Sequence, residues 1–325
     1  MIKGKRKRGA FSLLLPLALI LWGGIRINSI PHGPSLKVAL VQPNVPPKIK
    51  WDPAWEKAQI KLLIRMTKEA CNQARLVILP ESAIPYCLFQ EVRKTRFFLK
   101  GVQNCKAHIL VGTNHWVMHG KEVFLKNRAY LLSPQGQEEG YYDKIHLVPF
   151  GEYVPLVRFL PFLSALAGYR NGFLPGENTA PLPFPHIPLG VEICYEAIFP
   201  ELVRSQVRAG AKLLVNITND GWFGKSLAPY QHLTAALFRA VENGRWMVRD
   251  ANSGISAIIS PSGKIVAFMP LFTQGILKGR IEEVALTTFY TLLGDWLPVV
   301  SGLISCIFLV IKGFKTEKLF DKRQI

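Results

Sequence analysis

Apolar and polar positions alternate along Lys37 to Gln42, so the first strand is expected there. Trp51-Asp52-Pro53 then opens an amphipathic stretch. Asp52 is placed to cap a helix, Pro53 suits its first position, and Trp55, Leu62, Met66 and Ala70 fall on one expected buried face. A continuous apolar run at 75–79 predicts a buried strand that Pro80 stops. The same reading gives a helix near 91–104, a strand at 107–113, and strands near 127–133 and 137–142 joined by a Pro134-Gln135-Gly136 turn. Farther along, a strand at 187–193 leads to a helix from about Pro200 to Ala209. A strand from Lys212 to Thr218 and a helix from about Tyr230 to Glu242 follow. Strands at 246–250, 255–260 and 264–269 close the pattern, with Pro261-Ser262-Gly263 as a turn. Strand and helix alternate early and a strand meander ends the domain, so pattern alone predicts an α/β fold.

Two apolar segments lie outside this pattern. Ala10 to Ile25 is uncharged and closed by Arg26; Trp296 to Ile311 is the second, extended back to Leu286 despite Asp295. The first is short of the roughly 20 residues a membrane span needs. It is nonetheless expected to be a retained anchor and not a cleaved signal peptide, because no small-x-small cleavage site precedes the domain. The expected organisation is a basic tail and transmembrane anchor at 1–30, a Pro- and Gly-rich linker, a catalytic domain at 36–285, a transmembrane segment at 286–311 and a basic cytoplasmic tail at 312–325.

With 325 residues and 49% hydrophobic content, the chain has enough apolar mass for a sizeable core. The net charge of +18 raises nucleic-acid binding as a function class, but the placement of charge argues against it. Lys3, Lys5, Arg6, Lys7 and Arg8 precede one apolar segment, and Lys312, Lys315, Lys318, Lys322 and Arg323 follow the other. That distribution fits the positive-inside rule with both termini cytoplasmic and the domain across the membrane. The five cysteines show no metal-ligand spacing. Cys71, Cys87 and Cys105 can pair or stay free in an oxidising compartment. His115 and His119 sit beside Gly120 in an expected hairpin, where that spacing is not expected to put them on one face, and no metal or cofactor is expected.

The candidate chemistry lies where strands end. Cys194 falls between the strand at 187–193 and the helix from Pro200, where unpaired helix N–H groups favour a thiolate; the plainer reading is a small buried hydrophobe. Glu81 follows the strand stopped by Pro80, and Lys144 follows the strand at 137–142. A Glu, a Lys and a Cys at three strand ends, in that order, resemble the Glu-Lys-Cys triad of the nitrilase superfamily. Lys-Ile-His-Leu-Val-Pro-Phe-Gly-Glu-Tyr-Val-Pro at 144–155, Ile-Cys-Tyr-Glu at 193–196 and Asn-Asp-Gly-Trp-Phe-Gly at 219–224 look like one branch of it, the apolipoprotein N-acyltransferases. Gln231-His232 and the run from Ala251 to Ala257 fit the same branch, and the resemblance covers about Val38 to Trp296.

The resemblance implies an α-β-β-α sandwich, here flanked by one N-terminal and one C-terminal transmembrane helix. It implies Cys194 as nucleophile, Glu81 as general base, and Lys144 as the charge that favours thiolate and oxyanion. Trp51, Glu152, Tyr195 and Glu196 match positions the family uses around the triad. Glu152 is expected to orient Lys144 or the acceptor amine, and Trp51 to meet lipid, with core packing as the alternative for Trp51 and Tyr195. The implied partners are a phospholipid acyl donor, a diacylglyceryl-apolipoprotein acceptor and the bacterial inner membrane, with catalysis on the periplasmic side. The family carries most of its spans ahead of the catalytic domain. This chain has room for one there, as a shortened form, one half of a split system with a partner supplying the missing spans, or a fragment would. The other readings the triad allows are a membrane-tethered amidase and an inactive binding subunit. The apolar, proline-rich segment 154–188 is expected to be either a lid that meets acyl chains or a short helix packed on the core.

Overall fold

The computed structural model describes residues 33–155, 172–284 and 286–321, and the helical positions 14, 16–25 and 27. Residues 156–171 of the segment expected to act as a lid therefore lie outside the described residues.

Strand β1 (Ser35–Gln42) leads through a one-turn helix, Pro47–Lys50, into α1 (Pro53–Cys71). Asp52 caps α1 by accepting from Ala54 N, as its position before Pro53 suggested. β2 (Leu76–Ile78), α2 (Val92–Val102), β3 (His108–His119), β4 (Glu122–Leu132) and β5 (Glu138–Asp143) follow, and with β1 and the late strand β11 (Gly275–Glu282) they form a sheet in the order β11-β1-β2-β3-β4-β5. The second sheet begins with β6 (Leu189–Ile193), which ends in a 3-10 turn, Cys194–Ile198, ahead of α3 (Pro200–Arg208). β7 (Leu213–Thr218), α4 (Ala228–Asn243), β8 (Trp246–Ala251), β9 (Ser256–Ile259) and β10 (Ile265–Met269) complete it, in the order β10-β9-β8-β7-β6.

The sheets stack face to face. Val38, Leu40, Ile78, Leu110 and Leu131 from one meet Val191, Ile193, Val215, Ile217 and Val248 from the other in one buried cluster. A second apolar layer joins the outer face of the first sheet to α1 and α2, and a third joins the second sheet to α3 and α4. The result is α-β-β-α. Parallel pairing of β2 with β1 and β3, and of β7 with β6 and β8, sends the carboxyl ends of β2 and of β6 to β8 toward shared edges where side chains can converge.

Several expectations need correction. Trp55 shares the buried face of α1 by periodicity, but the sheet covers that face only from Gln59 and Ile60 onward, and Trp55 remains 48% exposed. β11 was not expected: Gly275 and Gly279 dilute its alternation, yet it pairs with β1 from Ser35↔Glu282 to Gln42↔Gly275. His115 and His119 do share a face of β3, but four residues along a strand span about 13 Å, and His115 Nδ1 is instead 3.0 Å from the Tyr130 hydroxyl. Among the described residues, no helix is long and apolar enough to cross a membrane, so the flanking transmembrane helices do not appear as such. The apolar part of the last helix, α5 (Trp296–Asp321), ends at Ile311, and its 16 residues give about 24 Å against about 30 Å of hydrocarbon. Its described side chains from Leu297 to Ile311 are exposed.

Cys71, the last residue of α1, is joined to Cys105 beyond α2 by a disulfide closing a separation of 34 residues. Both cysteines lie in the apolar layer outside the first sheet, while Cys87, Cys194 and Cys306 are free. Loop-closure entropy of that length corresponds to about 3–4 kcal/mol. Cys71→Ala with Cys105→Ala is expected to lower unfolding free energy by about 3 kcal/mol in a denaturant titration monitored by fluorescence, and an added reductant should then have no further effect.

Candidate functional site

Each candidate side chain is set by a backbone that leaves its strand sharply. Pro80 ends β2, Glu81 follows, and Ser82 turns back at a φ of 46°. Gly112 on β3 makes this possible: a Cβ there would lie 2.7 Å from Ser82 N and 2.8 Å from Glu81 Cα, and would collide with the Pro80 carbonyl oxygen. Lys144 is fixed on both backbone sides, its N donating to Asn127 O at 2.9 Å and its carbonyl accepting from Gly176 N at 2.8 Å. Cys194 leaves β6 at a φ of 57°, and its carbonyl accepts from Asn216 Nδ2 on neighbouring β7 at 3.2 Å. Left-handed φ values at non-glycine residues cost free energy and concentrate at functional sites.

The structure brings Glu81, Lys144 and Glu152 into direct contact. Lys144, 1% exposed, places Nζ 2.8 Å from Glu152 Oε1 and 3.8 Å from Glu81 Oε1. Asn127 Nδ2 donates to both carboxylates, at 2.8 Å to Glu81 and 3.2 Å to Glu152. Val148 N holds the second Glu152 oxygen at 2.9 Å. Glu152 thus holds the Lys144 ammonium at short range. Burial works against the lysine's charge, but Glu81, Cys194 and Glu152 outweigh that and hold its pKa above the ordinary value.

The Cys194 thiol lies in the same field. Burial pushes its pKa up to about 12 and Glu81 adds to the rise, while Lys144 and a hydrogen bond with Thr218 pull the other way. The expected thiolate-favouring helix end is not what sets this group. The turn after Cys194 is a short 3-10 segment, and the N–H of Ile193 just before it is already taken by Glu196 Oε2 at 2.7 Å. Of the two carboxylates that act on it, Glu81 and Asp220, Asp220 is paired with Arg249 at 2.7 Å, while Glu81 lies 3.8 Å from Lys144.

Glu196 is completely buried and stitches the Cys194 turn to the Lys144 loop. Its Oε1 accepts from Tyr142 Oη at 2.9 Å, Ile145 N at 2.6 Å and His146 N at 3.0 Å. Tyr195 is half-buried and meets Phe199 edge to face at 4.9 Å. Trp51 stands 44% exposed, which removes the core-packing alternative for it. Among the described residues, no group of three or more His, Cys, Asp or Glu side chains is placed to hold a metal ion.

Three parts of the site carried no sequence signal. Asn127 reads only as the start of a strand, and Lys50 only as one more basic residue before Trp51. The third is Arg249, fully buried beneath Cys194, which donates to Asn216 Oδ1 and, at 2.7 Å, to Oδ2 of Asp220 in the 219–224 motif, holding the ends of β7 and β8 together.

Residues 37–288 match the Carbon-nitrogen hydrolase family. The chain belongs to that family. It is 42% identical over 286 residues to an apolipoprotein N-acyltransferase of Geobacter metallireducens, covering 87% of this chain and 55% of that one. It is 36% identical over 318 residues to an apolipoprotein N-acyltransferase of Methylococcus capsulatus, covering 93% and 60%. The chain thus spans between half and two thirds of those relatives' length. Among solved structures, a Saccharomyces cerevisiae protein described as a member of branch 10 of the nitrilase superfamily matches with a TM-score of 0.58 at 20% identity, covering 78% of this chain and 91% of its own. An amidase from Nesterenkonia sp. matches with a TM-score of 0.56 at 21% identity, covering 83% and 99%. These two likenesses concern the fold.

Burial pushes the Glu196 carboxyl up to about 7, opposed by the N–H groups of Ile193, His146 and Ile145. Because its folded pKa is raised, the stability it contributes is fully present below the unfolded value of 4.5 and is lost as pH rises through about 7. A difference of that size corresponds to about 3 kcal/mol. Glu196→Gln is expected to remove this part of the decline between pH 5 and 8, so that the difference between variant and wild type in chemical denaturation changes by about 3 kcal/mol across the window.

Proposed function

We propose that this chain transfers a fatty acyl group from a phospholipid, through a thioester on Cys194, to the N-terminal amine of a diacylglyceryl-cysteine protein. One observation carries the reading: a buried lysine bridges two carboxylates and acts, with one of them, on the charge of a cysteine set on a strained turn. That constellation fits nucleophilic acyl chemistry, and the relatives named as apolipoprotein N-acyltransferases indicate which acyl chemistry.

In the first step Glu81 takes the thiol proton, the Sγ–C bond forms at the ester carbonyl, and Lys144 stabilises the resulting oxyanion. The C–O bond breaks, Glu81 returns the proton to the leaving oxygen, and a lysophospholipid departs. In the second step the acceptor α-amine attacks the thioester, the C–S bond breaks, and Glu81 passes the amine's proton back to Sγ. Glu152 keeps Lys144 aimed throughout, and Glu196 holds the nucleophile turn against the Lys144 loop.

Both substrates are lipids, and the exposed aromatic side chains near the site suit them. Trp51 and Trp222 stand 44% and 63% exposed on the segments that follow Lys50 and Asn219. Withdrawing a C16 chain from a bilayer costs about 12 kcal/mol at ~0.8 kcal/mol per CH₂, which favours an enzyme held at the membrane. The apolar segments 10–25 and 286–311, with basic residues outside them, would supply that attachment at the bacterial inner membrane. The Cys71–Cys105 disulfide supports a catalytic domain on the oxidising, periplasmic side.

Incubating the detergent-purified chain with phosphatidylethanolamine, beside Cys194→Ala, tests this by intact mass. A hydroxylamine-labile gain of one fatty acyl group in wild type alone is expected. Hydrolysis of short soluble amides with no acyl adduct would instead establish the amidase.

A further inference from the structure

Lys50 is a charged side chain of the site that the proposed mechanism leaves unused. It ends the helical turn Pro47–Lys50, is 2% exposed, and Nζ donates to the backbone carbonyl of Glu81 at 3.0 Å. With the Asn219 amide turned so that its oxygen faces inward, that oxygen accepts from Lys50 Nζ at 3.1 Å and from Trp222 Nε1 at 3.3 Å. One ammonium thus spans the chain leaving β2 and the chain leaving β7. The titratable groups whose charge it meets are Glu81 and Cys194, on two different loops. Lys144 and Asp220 act on the same thiol from two more, and Glu152 and Arg249 are paired with those two.

Charge counting gives Lys50 a role. Glu81 and Glu152 are two anions, and Lys144 supplies one cation; with Lys50 as the second, the pocket is neutral while the thiol keeps its proton. When that proton passes to Glu81, negative charge moves to Cys194, and Lys50 faces both the start and the end of the transfer. Without it, the pocket holds an excess negative charge that opposes a thiolate.

We propose that Lys50 is a second lysine of the active site, a positioning residue that latches the Glu81 turn to the Asn219 loop and whose positive charge supports formation of the Cys194 thiolate. The proposal rests on Cys194 and Glu81 being the nucleophile and its base. Burial lowers the Lys50 pKa to about 8, with Glu81 and Cys194 holding it up. The cation is therefore present below about 8 and lost as pH rises through that value.

Alkylation of Cys194 by iodoacetamide reads the thiolate directly and asks nothing of lipid. Rates on the full chain in detergent are taken from the mass of the Cys194 peptide, which separates it from Cys87 and Cys306. At pH 7, Lys50→Met is expected to slow alkylation about tenfold, and the gap should close above pH 9, where the wild-type lysine is neutral. Lys50→Arg keeps its charge, so the wild-type rate should fall relative to it as pH passes about 8. Equal rates for wild type and Lys50→Met at pH 7, or a gap that stays constant with pH, would overturn the proposal. Should Lys50→Met fail to fold, the wild-type to Lys50→Arg ratio carries the same test, and a flat ratio overturns it. Loss of acyl transfer alongside a Lys50-dependent alkylation profile would instead count against the acyl-transfer reading alone.

Discussion

A buried ammonium constrains everything around it. Lys144 is almost wholly removed from water, and a lone cation there would lose several kcal/mol of solvation. It keeps its charge because Glu152 lies at 2.8 Å and Glu81 at 3.8 Å, both supported by Asn127. Removing one partner of such a pair typically costs about 3–5 kcal/mol, since the other charge is left unpaired. The loops after β2 and β5 and the turn at Glu152 are therefore held in one arrangement by a single electrostatic requirement.

Cys194 joins this arrangement by other means. Its turn is anchored by Glu196, whose carboxyl group collects Ile193 N on one side and Tyr142, Ile145 and His146 on the other. Below, the Arg249–Asp220 pair fixes the ends of β7 and β8. Lys144 and Glu81 act on the charge of this partly buried thiol in opposite directions, and burial favours its neutral form. Under the proposed function such a site would act once a proton can move to Glu81, which would suit an acyl intermediate shielded from water.

The positions of Glu81 and Cys194 were legible because each follows an apolar run that reads as a buried strand, and parallel pairing brings such ends together; Lys144 follows a polar strand paired antiparallel with β4 and was legible through the motif that it opens. Glu152 and Glu196 were legible through the motifs that contain them. Lys50 and Asn127 were not: one lies in a proline-rich connection and the other begins a strand, and neither position has a pattern that marks it as facing a pocket. The Cys71–Cys105 pairing depends on α1 and α2 packing side by side, which spacing alone does not reveal. The turn at Cys194 was expected to favour a thiolate, and the opposite direction follows from burial, which a linear pattern does not register. β11 was hidden by its glycines, although it completes the sheet beside β1.

The central claim is that Cys194 rests as a thiol and that Glu81 must take its proton. The infrared difference between wild type and Cys194→Ser isolates the S–H stretch of this one cysteine from those of Cys87 and Cys306. The account predicts an S–H band at pH 7 that persists past pH 9, as burial pushing the thiol up to about 12 requires. Absence of the band at pH 7 would mean a resting thiolate and would contradict the role given to Glu81.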